Sequence, residues 1–295
     1  MLGYTIAFLG PKATFTDLAA AKLFPGGARI PLLTIPECLD AVWEEEADIA
    51  LIPIENTLEG SVNITLDYLV HEVNLPIRGE VTAPISQHFM IHPGNKDDSG
   101  SLDAIYSHSH AIAQCHRFLH KELKGIPCET VTSTAAAAKY VAEHPELKIA
   151  AIANELAARE YGLEIIQRDI HDFAHNHTRF IAVAKKEISF KGQLAAMKGT
   201  KTTLMVTLPA DQPGALHQVL SAFSWRRLNL SKIESRPMKT GLGNYFFIID
   251  INMEMDEVLI PGAMAELEAL GCSVKTLGSY PSFLITGTTE AAARG

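Results

Sequence analysis

This sequence shows no membrane-spanning stretch, no closely paired cysteines and no signal-peptide pattern. No apolar run approaches the ~18 residues that a bilayer span needs, and the first ten residues lack a basic segment and are typical of a strand. The cysteines are scattered, with no C-x-x-C pair: Cys38, Cys115, Cys128 and Cys272. We therefore expect a cytoplasmic protein with reduced thiols and no membrane partner.

Positive charge is too scarce for a protein that binds nucleic acid. Lysine and arginine together number 25 against 34 aspartates and glutamates, which gives a net charge of −9. Because nucleic-acid binding needs a basic face that neutralises phosphates, we expect no nucleic-acid partner. A small anionic ligand stays possible, since a few donors inside one cleft can bind a carboxylate whatever the net charge is.

The signatures of cofactor and metal sites are also absent from the sequence. There is no G-x-G-x-x-G loop for a dinucleotide, no Walker loop, no G-x-S-x-G elbow and no H-E-x-x-H helix. His171, His175 and His177 lie close together, but their spacing does not match a zinc site and no nearby cysteine completes the set. We predict no cofactor and no metal, with a zinc enzyme as one alternative.

The order of apolar and helical segments predicts two structural regions. Through residues 1–185, buried-strand patterns alternate with helical ones, which is typical of an α/β protein with parallel, doubly wound sheets. A polar segment with two glycines at 186–200 is the predicted linker. Residues 201–282 follow the βαββαβ order of a ferredoxin-like domain, with a turn at 241–243, and residues 283–295 form a tail.

Short polar residues recur where predicted strands end, in four segments: 10–16, 55–61, 107–110 and 132–134. Open α/β sheets bind ligands at the carboxyl ends of their strands, where backbone donors and helix N-termini converge. Each segment taken singly is more often a plain helix N-cap, because Ser, Thr and Asn are favoured there. Their recurrence after successive strands makes a binding site an equal alternative.

The segment Asn176-His177-Thr178-Arg179-Phe180 combines polar side chains with an arginine at the start of an apolar strand. Arg179 has the geometry to clamp a carboxylate with two hydrogen bonds, or it is a solvated side chain at a strand start.

Two segments of the second region also have two possible explanations. Gly214-Ala215-Leu216 begins a helix after Asp211-Gln212-Pro213, and Glu234-Ser235-Arg236-Pro237 ends a strand, so each is either a structural terminus or part of a ligand site.

Taken together, these motifs resemble those of the prephenate dehydratase family over nearly the whole chain. The run Ile52-Pro53-Ile54-Glu55-Asn56-Thr57 with Gly60-Ser61-Val62 is similar to the family's V-P-I-E-N-S…G-S-V, and residues 176–180 match its N-x-T-R-F signature. The segments 214–216 and 234–237 resemble the G-A-L and E-S-R-P motifs of its ACT regulatory domain.

Two departures from the family pattern affect the expectations. The family run S-H-P-Q-A-L-A-Q-C reads Ser107-His108-Ser109-His110-Ala111-Ile112-Ala113-Gln114-Cys115, so we do not expect His110 to contact the substrate directly. The run G-P-x-G-T reads Gly10-Pro11-Lys12-Ala13-Thr14, which alters that loop slightly.

The resemblance implies an α/β catalytic region like a type II periplasmic-binding protein, plus a ferredoxin-like ACT domain. Two lobes would flank a cleft, and the chain would cross between them near 73–84 and again near 153–169. The family also implies homodimers or homotetramers assembled through the ACT domains.

The resemblance further implies a cofactor-independent lyase that converts prephenate to phenylpyruvate, with L-phenylalanine as feedback effector. It gives the catalytic hydroxyl to Thr178. Implied substrate contacts come from Glu55, Asn56, Thr57, Ser133, Thr134, Asn176, Arg179 and Phe180. Implied phenylalanine contacts come from Gly214, Ala215, Leu216, Asn229, Leu230, Glu234, Ser235, Arg236 and Pro237. The alternatives are an arogenate dehydratase and a non-catalytic amino-acid sensor.

Overall fold

The computed structural model describes residues 3–98, 101–209, 213–238 and 245–286. Its strands are β1 (Thr5–Leu9), β2 (Ala28–Leu32), β3 (Ile49–Asn56), β4 (Gly60–Ser61), β5 (Ile77–Pro84), β6 (His88–Ile91), β7 (Ala104–Ser107), β8 (Cys128–Thr130), β9 (Ile149–Ala153), β10 (Glu164–Gln167), β11 (His177–Val183), β12 (Ala196–Thr207), β13 (Leu230–Pro237), β14 (Tyr245–Ile251) and β15 (Ser273–Leu284). Its helices are α1 (Phe15–Leu23), α2 (Ile35–Trp43), α3 (Asn63–His71), α4 (Ser109–Gln114), α5 (His116–Glu122), α6 (Thr134–Glu143), α7 (Glu155–Tyr161), α8 (Ala215–Ser224) and α9 (Leu259–Ala269), with a 3₁₀ helix at Pro93–Asp98.

A ten-stranded sheet runs through the molecule in the order β13-β14-β12-β15-β5-β11-β3-β1-β2, with β4 beside β3. Strand β1 is parallel to β2 and β3, whereas β11 is antiparallel to both β3 and β5. The prediction of parallel sheets is therefore wrong for β11, and also for β6, which is antiparallel to β9 and β10. The chain leaves the sheet at the end of β5 and returns at the same end through β11, so the two strands must run in opposite directions.

A second sheet of five strands, in the order β10-β6-β9-β7-β8, forms the other half of the N-terminal region. We call the part built on β1–β5 and β11 with α1–α3 lobe 1, and the part built on β6–β10 with α4–α7 lobe 2. The two-lobed arrangement is confirmed. Both crossings come later than predicted, at 85–87 and 168–176, because 77–84 and 164–167 are strands of the two sheets rather than connections.

The C-terminal region has the predicted βαββαβ order, formed by β12, α8, β13, β14, α9 and β15. Helices α8 and α9 cover one face of its sheet around a core that includes Leu204, Phe223 and Ile249. The predicted turn at 241–243 and the residues Asp211 and Gln212 lie outside the described residues, as do positions 287–295 of the predicted tail.

The borders of this region differ from those predicted. Strand β12 begins at Ala196, inside the predicted linker 186–200, and β15 continues to Leu284, beyond the predicted start of the tail at 283. Phe190 of the linker and Phe283 pack together with ring centroids 4.9 Å apart, and Phe283 belongs to a buried cluster with Ile6 and Val81 of lobe 1. Apolar side chains therefore anchor both ends of the C-terminal region to lobe 1.

The two regions share one sheet because β15 pairs in parallel with β5, through Ser282↔Glu80, Phe283↔Val81 and Leu284↔Thr82. The sheet face that α8 and α9 leave open packs on lobe 1: Phe246, Ile248 and Leu277 lie in one buried cluster with Leu66 and Leu69 of α3. Burial of apolar area is the main favourable term in such packing, at about 25 cal/mol per Å². Across the described ranges, none of the helices has the length and apolar character needed to cross a membrane.

Gly278 lies directly against the backbone of Ile77 in lobe 1. Its replacement tests how much stability the junction of the two regions contributes. A Cβ atom at position 278 would lie 2.2 Å from the backbone oxygen of Ile77, a clash that only backbone movement can relieve. We expect Gly278→Ala to lower the free energy of unfolding by at least about 2 kcal/mol, as overpacking of a buried contact does. Chemical denaturation monitored by circular dichroism measures this change. Ser273→Ala, at an exposed position of the same strand, is the control, and equal stability of the two variants would contradict the assignment.

Candidate active site

A cavity of about 450 Å³ lies between the two lobes. Its walls are the end of β1 with the start of α1, the facing parts of β3 and β11, and the starts of α4 and α6. The lining residues are Leu9, Gly10, Thr14, Phe15, Thr16, Leu33, Pro53, Asn56, Glu59, Val62, Ile85, Gln87, His108, His110, Ala111, Gln114, Thr132, Ser133, Thr134, Thr178 and Phe180. Polar strand ends from both lobes thus meet at one cleft, as the carboxyl ends of strands do in open α/β sheets.

A β-bulge in β3 sets the side chains on the lobe 1 wall. Against β11, Glu55 pairs with Arg179 but Pro53 pairs with Phe180, so Ile54 is an extra residue in β3. Side chains on a regular strand alternate between faces, and a bulge shifts that alternation by one. As a result Pro53 and Asn56, three positions apart, both line the cavity.

The hydroxyl of Thr178 lies in the cavity wall, and Asn56 fixes its hydrogen-bonding role. The Nδ2 of Asn56 donates to Thr178 Oγ1 at 2.8 Å and to Asn176 Oδ1 at 3.0 Å. The Oδ1 of Asn56 accepts from the backbone N–H groups of Leu58 and Glu59, so the amide cannot be flipped without losing both bonds. Since Thr178 accepts from Asn56, its own proton is left to donate into the cavity.

A chain of oriented amides runs from Asn56 across the cleft. Asn176 donates through Nδ2 to Gln114 Oε1 at 3.2 Å, and Gln114 donates through Nε2 to Glu59 Oε1 at 3.5 Å. His110 Nδ1 lies 2.7 Å from the same Glu59 oxygen. Gln114 and His110 belong to lobe 2, whereas Asn176 and Glu59 adjoin lobe 1 strands, so these contacts join the lobes at the cleft.

The loop after β1 makes a second connection between the lobes. Ala13 is buried in the core of lobe 2, and its carbonyl oxygen accepts from Asn154 Nδ2 at 2.9 Å. The same Asn154 side chain caps α7 by accepting from the N–H of Ala157 at 2.9 Å. In lobe 1, the Asp17 carboxylate accepts from the N–H of Ala13 and pairs with Arg29, so the loop is held from both sides.

Positive charge in the cavity comes from helix ends rather than from lysine or arginine. None of the lining residues named above is a lysine or an arginine. Thr14 caps α1 by accepting from the N–H of Asp17, and Ser133 caps α6 by accepting from the N–H of Ala136. The first N–H groups of a helix have no intrahelical acceptor and carry the positive end of its dipole, which favours anions. One such end comes from each lobe.

His108 contributes little charge to this wall. Its burial lowers the pKa of the imidazole, the neighbouring His110 lowers it further, and Glu59 opposes the shift by raising it. Its Nδ1 accepts from the backbone N–H of His110 at 3.4 Å, which is the role of a neutral ring. In the described part of the chain, no cluster of three or more His, Cys, Asp or Glu side chains has the arrangement of a metal site.

Comparison with known proteins decides the family. The family model for prephenate dehydratase matches residues 6–188, and the model for the ACT domain matches residues 202–271. This chain belongs to the prephenate dehydratase family. A prephenate dehydratase of Bacillus subtilis is 59% identical over 94% of this chain and 99% of its own length.

Solved structures agree with the family assignment. The prephenate dehydratase of Arthrobacter aurescens, solved in complex with L-Phe, is 36% identical with a TM-score of 0.80, over 94% of this chain and 89% of that one. GqqA, described as a quorum quenching acylase, is 28% identical with a TM-score of 0.82, over 94% and 98% of the two chains. The predicted fold class and family are thus confirmed. Because one of these neighbours carries another activity, the site rather than the fold must support the chemistry.

The structure brings five of the predicted substrate-site residues to the cavity: Asn56, Ser133, Thr134, Thr178 and Phe180. Asn176 is buried behind the wall, where it bonds to Asn56. Thr57 is exposed beside the cavity and exchanges hydrogen bonds with the backbone of His177, at 3.0 and 3.2 Å. Both support the wall from outside the cavity.

Glu55 and Arg179 are not brought to the cavity. Glu55 precedes Asn56 on β3 and Arg179 follows Thr178 on β11, and since side chains alternate along a strand, both point to the opposite face of the sheet. The guanidinium of Arg179 does bind carboxylates, but they are those of Glu55, Glu80 and Asp250, at 3.2, 3.0 and 2.5 Å. The predicted contact between Arg179 and a substrate carboxylate is therefore not supported by its position.

The predicted phenylalanine residues lie in two places. Gly214 has a φ of 85°, a conformation that favours glycine, and starts α8 with Ala215 and the half-exposed Leu216. On β13, the side chains of Glu234 and Arg236 contact lobe 1, at Ser61 and at Asp67 respectively. The remaining predicted positions, Asn229, Leu230, Ser235 and Pro237, lie on or next to β13. The effector site stays a prediction.

Several cavity residues were not among the predicted contacts: Thr14, Thr16, Glu59, Gln87, His108, His110, Gln114 and Thr132. Most belong to the polar strand-end segments that the sequence analysis singled out, so the signal was present in their position. His110 replaces a glutamine of the family pattern, yet it lines the cavity and pairs with Glu59.

Substitution of Asn154 measures how much its hydrogen bond to Ala13, which connects the lobes, contributes to stability beyond helix capping. Asn154→Ala removes both the cap of α7 and the buried bond to Ala13, so we expect a loss of about 2–3 kcal/mol in the free energy of unfolding. Thr34→Ala is the control, because Thr34 caps α2 through the N–H of Glu37 and has no other side-chain bond in the described residues. Its expected loss is about 1 kcal/mol. Equal losses in urea denaturation would show that the bond to Ala13 contributes nothing.

Proposed function

We propose that this chain catalyses the decarboxylation and dehydration of prephenate to phenylpyruvate, without a cofactor, in the synthesis of phenylalanine. The observation that carries the proposal is the Thr178 hydroxyl. It faces the cavity, accepts from Asn56, and so has its proton available for a ligand. The family assignment supplies the substrate, and the donor in the cavity fits the chemistry that this substrate needs.

The reaction requires little from the protein besides one donor. The bond to the ring carboxylate breaks and releases CO₂, its electron pair enters the ring, and the ring C–O bond breaks to expel hydroxide. Hydroxide takes up one proton and leaves as water, so one proton is consumed for each CO₂ and water formed. Thr178 assists by hydrogen bonding to the departing oxygen, with solvent supplying the proton in the end. Aromatisation of the ring provides the driving force, which is why we propose no cofactor.

The remaining cavity residues would hold the dianion. The N-terminus of α6, with Ser133 and Thr134, and that of α1, with Thr14, present hydroxyls and backbone N–H groups from opposite lobes. We assign the two carboxylates to these two ends. Phe180 would pack against the ring, and Asn176 would keep Asn56 oriented. Glu55 and Arg179 have no direct contact in this proposal.

We propose control by L-phenylalanine at the ACT domain, with dimers or tetramers formed through that domain. The relative from Arthrobacter aurescens was solved with L-Phe, and this chain carries the G-A-L and E-S-R-P segments. Strand β13 is the edge of the ten-stranded sheet, and Ile233 on it is exposed, which suits pairing with a second copy. Free cysteines throughout the chain fit a cytoplasmic location.

One assay tests the activity and its control. We expect the purified chain to convert prephenate to phenylpyruvate, with L-phenylalanine changing the rate, and to prefer prephenate over arogenate in kcat/KM. Chromatography of the keto acid and measurement of released CO₂ follow the reaction. Release of CO₂ from neither substrate would refute the enzyme and leave the amino-acid sensor, whereas a preference for arogenate would reassign the substrate.

Substitution of Thr178 tests the proposed donor. We expect Thr178→Val to lower kcat about 100-fold or more, as loss of an acid–base group does, while Thr178→Ser keeps the hydroxyl and stays within about tenfold of the wild type. Thr276→Val, at an exposed strand position of the ACT domain, is the matched control. A Thr178→Val variant that folds normally and keeps more than about a tenth of the wild-type kcat would rule out this role.

A further inference from the structure

A buried group of charged side chains lies where β3, β5 and β11 meet the ACT sheet. Arg179 lies at the centre of this group, and its side chain is 12% exposed and contacts carboxylates from both regions. We call Arg179 together with Glu55, Glu80 and Asp250 the hub. Glu55 and Glu80 come from lobe 1, and Asp250 comes from β14 of the ACT domain. Glu80 and Asp250 are fully buried.

The hub lies directly behind the catalytic hydroxyl. Thr178 is paired across the strands with Asn56, and Arg179 is paired with Glu55. On the cavity face, Asn56 donates to Thr178 at 2.8 Å; on the opposite face, Arg179 donates to Glu55 at 3.2 Å. Adjacent residue pairs of β3 and β11 therefore form a hydrogen bond of the proposed active site and an ion pair of the hub.

The ACT domain brackets this ion pair from two strands. Asp250 accepts from Arg179 Nη2 at 2.5 Å and is itself held by the hydroxyl of Thr203 at 2.7 Å. On the other side, Lys232 of β13 lies 3.3 Å from Glu55 and 3.0 Å from Glu234 of the E-S-R-P segment. A shift of the ACT sheet against lobe 1 would pull on both members of the Arg179–Glu55 pair.

The positive charge of Arg179 is maintained by its carboxylate neighbours. Burial alone would lower the pKa of the Arg179 guanidinium, but the carboxylates of Asp250 and Glu80 raise it by more, so Arg179 stays protonated. Removing one partner leaves a buried charge without compensation, which is far more costly than losing an exposed ion pair. Docking of the ACT sheet and the position of β11 are thereby linked.

We propose that Arg179 is a positioning residue: through its ion pairs with Glu55 and Asp250 it makes the placement of Thr178 and Asn56 depend on how the ACT domain is docked. This inference rests on the proposed function for its kinetic meaning. It also names the contact through which binding of a ligand to the ACT domain would change the geometry of the active site. Such an effect requires that the two docked states differ in free energy at this contact.

The test uses Asp250→Asn, which keeps the shape of the side chain and removes its charge. Glu266→Gln is a matched control, because Glu266 accepts from Arg226 at the same distance of 2.5 Å and both residues lie within the ACT domain. We expect Asp250→Asn to lower kcat about fivefold or more, with little change in KM, and to weaken the effect of L-phenylalanine on the rate. Glu266→Gln should keep the wild-type kcat and response.

A second measurement does not depend on activity. Hydrogen exchange of the β11 amides, residues 177–183, should accelerate in Asp250→Asn and not in Glu266→Gln, since only the former loosens the strand. Wild-type kcat, phenylalanine response and exchange in Asp250→Asn would overturn the proposal, as would equal changes in the control. If the wild-type chain turns over no prephenate, the proposed function fails. The exchange data alone then decide whether the hub links the docking of the ACT domain to the position of β11. Should Asp250→Asn not fold, Arg179→Lys takes its place, because it keeps the charge but loses the fork geometry, and the same criteria apply.

Discussion

The cross-strand register between β3 and β11 is the constraint on which the rest of the structure depends. Two consecutive pairs, Thr178↔Asn56 and Arg179↔Glu55, divide between the two faces of one sheet. The first pair builds the wall of the cleft and the second joins lobe 1 to the ACT domain. A one-residue slip would exchange these roles completely, because side chains alternate along a strand. The bulge at Ile54 and the antiparallel neighbour β5 on the other side fix the register.

Much of this arrangement could be predicted from the sequence, and the misses have identifiable causes. Two residues of the N-x-T-R-F segment, Thr178 and Phe180, line the cleft, and the order of elements in the C-terminal region is the predicted one. Placing both Thr178 and Arg179 at one ligand ignored strand alternation, which by itself separates them. The bulge that turns Asn56 toward the cleft has no local signature, since it depends on pairing with a strand more than a hundred residues away. Likewise, the spacing of Ile112, Cys115, Leu119 and Leu123 is typical of a single helix. The structure instead has two helices that meet at Cys115, where the carboxylate of Asp172 accepts from the N–H of Arg117.

The sequence left two explanations for the polar strand ends, capping or binding, and the structure shows that they are not exclusive. Ser133 and Thr14 cap their helices and also line the cleft. A capped helix end has its N–H groups oriented at little entropic cost, so the cap prepares the donors that an anion needs. This explains how a chain with a net charge of −9 can offer an anion site without lysine or arginine in its wall. The positive field in the cleft is local and comes from the backbone.

The pairing of β15 with β5 has a consequence for how this protein can be divided. A chain cut before β12 would lose the strand that covers β5, and the N–H and C=O groups of β5 would face water along an open edge. Such edges recruit strands from other molecules and promote aggregation. The cut would also uncover the carboxylate of Glu80, whose Oε1 is now contacted by Lys201 and Ser282 from the ACT side. Exchanging the ACT domain for one from an unrelated protein would therefore require a replacement for its last strand.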